Sequence, residues 1–319
     1  MPTATIGSGH LTKFRFKDET TFGVAPSGNW IEGYFYQNTL AEKQPFEDDD
    51  VIGGVKQNSR DSREPAPGLS TTQGQLSLPL CLNAIGDALK LILGAPSTSG
   101  ATNFTHVFAS GAAQLPTRSI EQMISANDFR QFLGCAAKTM KIDAKDDKGV
   151  QRIVFDLLAQ REVLLTSTAA GAPTTRVYDP MARTKADVYL NSVQLGLCTD
   201  FSLEYGTGVD VERYIDGNAY PSAMILAGLA TLGGSFKVRY SGQTLDNLAI
   251  GAADQALELR FVKSGNNSLV IAMPAARLSR AGAPINGAGA LEQEFMFRCS
   301  QTSVAAMMTA TLKNQIASY

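Results

Sequence analysis

The sequence predicts a mainly β protein made of two tandem β-sandwich or barrel-like units, each with one short flanking helix. Three observations predict this class: polar and apolar residues alternate in many segments, only short helices are predicted, and the second half repeats the order of the first. A chain of 319 residues also exceeds the usual size of one domain. The predicted parts are an extended arm (1–29), a first unit (30–165), a linker (166–185) and a second unit (186–319).

The first unit follows an arm rich in Gly, Ser, Thr and Pro. Its first strand is predicted from Trp30 to Tyr36, where residues alternate in character. Leu76, Leu78 and Leu80 alternate in the same way and indicate a half-buried strand.

A helix is predicted over residues 84–93, where the apolar residues fall on one face. Asn83 is the candidate N-cap and Gly94 ends the helix. A small-residue linker at 97–102 follows. The unit closes with two predicted strands and the hairpin turn between them, at 138–142, 150–155 and 146–149.

The second unit is predicted from an internal repeat. Residues 68–78 match residues 228–238 in their glycines and in the alternation of apolar residues. Thr244 is the candidate cap of a second helix. Two further matches occur in the same order along the chain: 38–42 resembles 200–204, and the strand ending at 155 resembles 291–297. A duplicated β unit explains these matches most simply.

The composition argues against several functions. The chain has 28 basic and 30 acidic residues without a basic cluster, so stable nucleic-acid binding is disfavoured. No zinc, nucleotide or GxSxG motif occurs and there are only two histidines, so we expect no enzyme, cofactor or metal. The four separated cysteines are expected to be reduced. The most apolar run, 89–95, is too short to cross a bilayer, and residues 1–20 do not resemble a secretion signal.

Two acidic segments are candidate contact sites. The polar stretch 44–67 is long for a loop and contains the run Glu47-Asp48-Asp49-Asp50. This run could be a solvated loop, a surface facing DNA or a partner, or a site for a hard cation. The second segment, with Asp143, Asp146 and Asp147, fits a hairpin tip. The aromatic residues around Trp30 fit a core face and a subunit contact better than a ligand platform.

Three motifs carry a resemblance to a known family: residues 19–26 (ETTFGVAP) followed by Trp30, residues 115–121 (LPTRSIE), and residues 132–136 (FLGCA). In this order they resemble a group of siphophage tail tube proteins, the subunits of long non-contractile phage tails. Further segments that resemble β units of such proteins are 74–80 leading into 89–94, 188–205 and 235–240.

The resemblance implies a structural virion protein, the major tail tube subunit, whose stacked rings form the channel for phage DNA ejection. It implies a β-sandwich-like domain with one sheet of each copy lining the channel. Three chains with doubled domains would form a pseudo-sixfold ring, although a hexamer stays open. The other implied partners are the tape measure and tail terminator proteins, while DNA passes transiently and no membrane is bound. The protein would be assembled in the host cytoplasm and reside in the virion.

Residues are assigned to these contacts as expectations. The implied links to the next ring are 1–29, 44–67 and 206–222. Candidates for inter-ring or lumen contacts are Glu47, Asp48, Asp49, Asp50, Arg60 and Arg63. Candidate arm contacts are Phe14, Phe16 and Phe22, and candidate acidic lumen residues are Asp143, Asp146 and Asp147. The alternative function is a phage-associated β-sandwich module for binding or for capsid decoration. A hydrolase with an unrecognised site is a third reading.

Overall fold

The protein is mainly β, as predicted: strands hold 51% of the residues and helices 8%. The structure, a computed structural model, describes residues 8–51, 61–145, 147–280, 282, 284–285 and 287–319. The helices are α1 (Ile85–Leu93) and α2 (Thr244–Gly251), with two 3-10 turns at Gly9–Leu11 and Arg183–Lys185.

The strands of the first half are β1 (Lys13–Asp18), β2 (Ile31–Gly33), β3 (Gln37–Asn38), β4 (Ala41–Lys43), β5 (Phe46–Glu47), β6 (Ala66–Pro67), β7 (Thr71–Pro79), β8 (Ser97–Gly100), β9 (Phe104–Ala109), β10 (Arg118–Ser125), β11 (Asp128–Lys145), β12 (Arg152–Ala159) and β13 (Arg161–Leu165). Those that follow are β14 (Thr174–Thr175), β15 (Ala186–Leu190), β16 (Val193–Gln194), β17 (Cys198–Gly206), β18 (Val209–Glu212), β19 (Ala223–Leu226), β20 (Thr231–Arg239), β21 (Gln255–Ser264), β22 (Asn267–Leu278), β23 (Glu292–Cys299) and β24 (Thr309–Asn314).

One antiparallel sheet, which we call the central sheet, runs through both halves of the chain. Its order is β3/β4, β7, β12, β11, β17, β20, β23 and β22. The halves meet where β11 pairs with β17, from Thr139 opposite Gly206 to Lys145 opposite Asp200. Continuous ladder hydrogen bonds therefore join the two halves.

A second layer packs behind the central sheet. In the first half its order is β13, β11, β10, β1, β2 and β14. In the second half it is β8, β9, β24, β22, β21, β15 and β16. The long strands β11 and β22 each contribute to both layers. The hairpin β8–β9 belongs to the first half but pairs with β24, and it is a second connection between the halves.

The strand pairings of the two halves correspond. The strand β7 lies between β3/β4 and β12, just as β20 lies between β17 and β23. The hairpin β10–β11 carries β1 on its outer strand, just as β21–β22 carries β15. Two copies of one unit would give these pairings. We keep the division into two tandem units as a proposal that they support.

The hydrophobic core lies between the layers and runs through both halves. It contains rings from both, among them Phe108, Phe155, Phe236 and Phe295, and one face of α1. Alternating burial in β20 and β23 follows from this position, because successive side chains of a strand point to opposite faces. Residues on the other face of the central sheet are left for solvent or for partners.

The start of the chain differs from the expected arm. Residues 13–18 form β1 inside the second layer, and Phe14 and Phe16 are buried in the core. The alternation of charged residues with Phe14 and Phe16 is a strand pattern. Its charged residue Arg15 becomes buried because Glu121 supplies a partner, with Arg15 Nη1 2.9 Å from Glu121 Oε1.

Other local predictions also need correction. The strand expected from Trp30 to Tyr36 is only three residues long, and Trp30 is buried. The two helices occur where expected, and Gly94 with φ 89° ends α1. Neither helix has a side-chain cap. Asn83 instead donates its amide to Val177 O at 3.3 Å, and Thr244 is already inside α2. The predicted linker at 97–102 holds β8, which forms because β9 pairs with it.

Candidate assembly surfaces

The face of the central sheet that points away from the core is polar. Its residues include Ser202, Ser235, Thr139 and Gln75, which lie on four different strands. The alternation of each strand leaves these side chains on the opposite face from buried neighbours such as Leu203. We call this surface the polar face.

Several charged residues on the polar face are paired across strands. Lys141 lies between Asp156 at 3.7 Å and Glu204 at 3.6 Å, and Lys145 lies 3.0 Å from Asp200. Two further pairs join β20 to β23: Lys237 with Glu294 at 3.6 Å and Arg239 with Glu292 at 3.2 Å. Cross-strand pairs of this kind stabilise a sheet modestly, by about 0.2–1 kcal/mol each. They also leave the surface with alternating rather than clustered charge.

The sheet edge at β3/β4 pairs with β7 on one side only, among the strands that the structure describes. Side chains bind the outward N–H groups of this edge. Asn38 Oδ1 accepts from Leu40 N at 3.1 Å, and Glu162 Oε2 accepts from Glu42 N at 3.1 Å. Glu162 N in turn donates to Glu42 Oε2 at 2.6 Å. These two donors of the edge are therefore satisfied without a partner strand.

Two long loops leave the sheet at corresponding points, one before β7 and the other before β20. The first begins with the two-residue ladder β5–β6, in which Phe46 lies opposite Pro67. The second is the hairpin β18–β19. Each exposes large apolar side chains: Phe46 is 72% exposed, and Ile215 at the hairpin tip is fully exposed. Apolar side chains on protruding loops are a feature of contact surfaces.

The second loop lies against the base of the first. Ser70 N donates to Ala219 O at 2.9 Å, and Arg213 donates both to Ala219 O at 2.7 Å and to Ser70 O. Gln160 Nε2 also donates to Pro221 O at 3.2 Å. The two loops therefore form one connected surface of the molecule.

The predicted acidic residues lie at two separate places. Glu47 is in β5, and Asp48, Asp49 and Asp50 follow it on the exposed first loop. Arg63 is half-buried on the returning side of this loop, while Arg60 lies outside the described residues. Asp143 is exposed at the end of β11, Asp147 pairs with Arg183 at 3.2 Å, and Asp146 lies outside the described residues. Their roles in the lumen or between rings stay predictions.

The three predicted aromatic arm contacts do not form an exposed group. Phe14 and Phe16 are in the core, where the guanidinium of Arg118 lies 4.5 Å from the Phe16 ring centre. Phe22 is half-buried and packs over Gly134, whose φ of 63° favours glycine. These positions make Phe14 and Phe16 folding residues of their own chain rather than contacts to another ring.

Glu19 is a residue that the sequence reasoning missed. Its carboxylate accepts four hydrogen bonds: from Gly23 N at 3.0 Å, Thr117 Oγ1 at 2.9 Å, Ser119 Oγ at 2.7 Å and Gly134 N at 2.8 Å. These donors lie in the ETTFGVAP, LPTRSIE and FLGCA motifs. The joint occurrence of the three motifs was the signal that could have indicated a shared contact.

The linker 166–185 is held by a second carboxylate, that of the buried Glu121. It accepts from Thr168 Oγ1 at 2.7 Å and from Ala169 N at 2.6 Å, in addition to its ion pair with Arg15. Burial of a charge is costly unless it is paired and hydrogen-bonded, and Glu121 is fully buried with both kinds of partner. This carboxylate therefore fixes the linker to the second layer.

Three cysteine thiols and the His106 ring are shielded inside the fold. Burial raises the pKa of the Cys135 thiol well above its usual range, that of Cys198 to about 11 and that of Cys299 to about 12, so these thiols stay protonated at neutral pH. His106 is buried, with its ring nitrogens 2.8 Å from Thr98 Oγ1 and 2.8 Å from Ile316 O. Within the described ranges, His, Cys, Asp and Glu nowhere form a group of three that could hold a metal ion. Among the same residues, no helix is long and apolar enough to span a membrane.

Comparison with known proteins indicates the family of this chain. No curated protein matches the chain. A sequence model described as "Phage tail tube protein" matches residues 9–299, which is most of the chain and includes both halves of the central sheet. The chain belongs to the phage tail tube protein family.

Proposed function

We propose that this chain is the subunit of stacked rings and that the polar face of its central sheet lines the channel for phage DNA. Membership of the family makes it a structural component of the phage tail. The finer assignment is carried by one observation, namely that corresponding strands of the two halves continue one sheet with one polar face.

The size of such a channel follows from the strand spacing. Each half contributes four strands to the central sheet, with β3/β4 counted as one, so three chains would contribute about 24. At about 4.8 Å between strands, this closed sheet has a backbone diameter of at least about 37 Å. A circle of this size leaves room for duplex DNA after side chains are added. Ring closure also pairs the sheet edges, which would otherwise invite uncontrolled association.

The charge pattern of the polar face suits passage without retention. Binding to phosphates requires clustered Lys and Arg that displace counterions. Here Lys141, Lys145 and Lys237 each lie within 4 Å of a carboxylate on a neighbouring strand. Paired charges produce a weak field beyond about 10 Å in ordinary salt. DNA would then slide past a polar wall that neither holds it nor strongly repels it.

The proposed function requires further copies of this chain and other tail proteins. Because one chain has two corresponding units, three chains per ring with pseudo-sixfold symmetry are favoured over six chains per ring. Rings would stack through the two long loops, with the tape measure protein inside during assembly and a terminator protein at one end. The protein would function in the virion after assembly in the host cytoplasm.

Electron microscopy tests this function directly. The purified protein is imaged by negative staining over a range of concentrations, alone and with the tail initiator complex, and phage particles are labelled with gold-bound antibodies against the chain. We expect rings or tubes with a central hole, and label along the tail shaft. Monomers under every condition, together with label confined to the capsid, would contradict the proposal and favour a capsid-decorating protein.

A further inference from the structure

The junction between β11 and β17 within one chain is a template for the contact between chains. In this junction Thr139 lies opposite Gly206 and Met140 opposite Tyr205. If the two halves are equivalent, each half must meet the next through the same pair of edges. The inference rests on the proposed ring and identifies which residues close it.

The first of the two edges is β3/β4, which corresponds to β17. Glu42 and Tyr205 have equivalent places, because Glu42 lies opposite Thr72 of β7 and Tyr205 opposite Leu232 of β20. The glycines of these strands support the match. Gly74 lies against the backbone of Leu40, and Gly234 lies against the backbone of Ser202, so closely that a Cβ atom would overlap in either place.

The second edge is the end of β22, which corresponds to the end of β11. Each is the second strand of a hairpin, β21–β22 or β10–β11. Beyond the hairpin, β22 pairs with β23 and β11 pairs with β12. Ser279 extends the ladder by donating its N–H to Met296 O at 2.8 Å. Thr139 has the equivalent place opposite Asp156. β21 still pairs with β22 at Ala276, where Gln255 lies opposite, but among the described residues no strand covers this side of β22 from Arg277 onward.

We propose that the end of β22 of one copy pairs with the β3/β4 edge of the next copy in the register of the β11–β17 junction. This register places Ser279 opposite Lys43 and Arg280 opposite Glu42. The chemistry of the second pair is complementary. Arg280 is exposed, and among the described residues it has no hydrogen-bond or ion-pair partner. Glu42 carries the carboxylate at the opposite edge, where it accepts hydrogen bonds from Ser70 and from Glu162 N but has no cationic partner among the described residues. The neighbouring Glu162 is already paired with Arg130 at 2.8 Å.

The two junctions then differ in chemistry. Met140 and Tyr205 are buried apolar partners inside the chain, where the junction forms during folding. Arg280 and Glu42 are charged, so the same edges stay soluble in the separate subunit. The side chains of Asn38 and Glu162 occupy the donors of the β3/β4 edge until a neighbour replaces them. Ring closure would exchange these side-chain hydrogen bonds for ladder hydrogen bonds.

A charge exchange tests the pair. Arg280→Glu and Glu42→Arg are each expected to raise the protein concentration needed for half-maximal ring formation at least tenfold, and the double variant to recover most of this loss. Arg277→Glu is the matched control, because Arg277 lies on the same strand but pairs with Asp254 at 2.7 Å. Circular dichroism and the thermal midpoint of each monomer check the fold, since Glu42 also accepts from Ser70.

A disulfide cross-link tests the proposed register of β22 against β3/β4 and leaves Arg280 and Glu42 unchanged. Lys43 and Ser279 are both exposed, so Lys43→Cys with Ser279→Cys should fold normally. Residues directly opposite in an antiparallel ladder are close enough for a disulfide. We expect a ladder of covalent oligomers under oxidising conditions that the single variants do not give. Normal tubes without cross-link or charge rescue would overturn this contact and leave the tube function intact. Failure of the unaltered chain to form rings would instead contradict the proposed function.

Discussion

At the scale of single residues, carboxylates rather than apolar contacts distinguish this fold from a generic β-sandwich. Glu19 joins three distant segments and Glu121 fixes the linker to the second layer. Each accepts several hydrogen bonds: Glu121 is fully buried, and the half-buried Glu19 accepts from donors on the buried residues Gly23, Ser119 and Gly134. Loss of an acceptor there leaves buried donors unsatisfied, which costs more than the hydrogen bond itself contributes. The loss should therefore be measurable as a fall in stability.

Glu19→Ala is expected to lower the free energy of unfolding by about 3 kcal/mol, because four donors lose a charged acceptor. Glu19→Gln should recover only part of the lost free energy of unfolding. Its amide oxygen can still accept hydrogen bonds, but its NH2 group is itself a donor and faces other donors. Urea denaturation followed by circular dichroism measures both values. Glu204→Ala, at an exposed position, is the control and should cost under about 0.5 kcal/mol. A loss below about 1 kcal/mol for Glu19→Ala would show that the fold does not depend on the four hydrogen bonds to this carboxylate.

Asp18 makes stability depend on acid pH. Burial raises its pKa, but Arg118 at 2.6 Å and Lys90 at 2.8 Å outweigh burial and hold the pKa below its usual value of 3.8. A carboxyl whose pKa is lower in the folded state stabilises the fold above its unfolded pKa and loses this effect as pH falls. Asp18→Asn should therefore cost about 1–2 kcal/mol at neutral pH, and the difference from the unaltered protein should shrink below about pH 4.

Chemical denaturation from pH 3 to pH 7 measures this difference. Asp147→Asn provides the comparison, because Asp147 is 63% exposed in its pair with Arg183, and exposed pairs contribute little. A difference between Asp18→Asn and the unaltered protein that stayed constant across the whole pH range would rule out this ion pair as its source.

At the scale of elements, the two long loops are the clearest candidates for stacking. Ile215 at the tip of the β18–β19 loop is a large apolar side chain with no cover in the separate subunit. Its burial between rings would contribute about 1.5–3 kcal/mol per contact. Ile215→Asp should therefore raise the critical concentration for tube growth more than tenfold and leave single rings, with an unchanged thermal midpoint.

Val304→Asp is the matched control for Ile215→Asp, since Val304 is 93% exposed but lies on the loop between β23 and β24. Sedimentation velocity separates rings from tubes in both variants. Tubes of normal length from Ile215→Asp would show that this loop tip is not a stacking contact.

Elements also show what the sequence could predict. The strand containing Leu76, helix α1 and the mainly β class were predicted from periodicity, and helix α2 was predicted from the internal repeat. The strand β8 was not, because Ser97–Gly100 has no apolar pattern and forms only on β9. The N-caps at Asn83 and Thr244 were wrong, because Asn83 bonds to Val177 from a segment distant in sequence. The alternation at residues 13–17 does indicate β1, but the burial of Arg15 is predictable only when its partner Glu121 is known. Tertiary contacts decided each of these cases.

At the scale of the whole molecule, the candidate surfaces could be predicted only in part. Sequence reasoning found the acidic loop and the internal repeat. It could not find the polar face, because that face combines strands from both halves. The edge contact was also hidden, since Arg280 and Glu42 are distant in sequence and lie on different chains in the proposed ring. Only the observed register of β11 and β17 relates them.

The number of chains per ring is the last consequence of this arrangement. If each chain supplies two equivalent sets of strands, three chains close a ring of six sets. The ring mass should then be about 102 kDa, three times the 34.0 kDa of one chain, and native mass spectrometry of rings released by Ile215→Asp would measure it. A single species of twice that mass would require each chain to contribute one set of strands to the channel wall. That result would exclude the continuous β11–β17 junction as part of the channel wall, because this junction places both sets side by side.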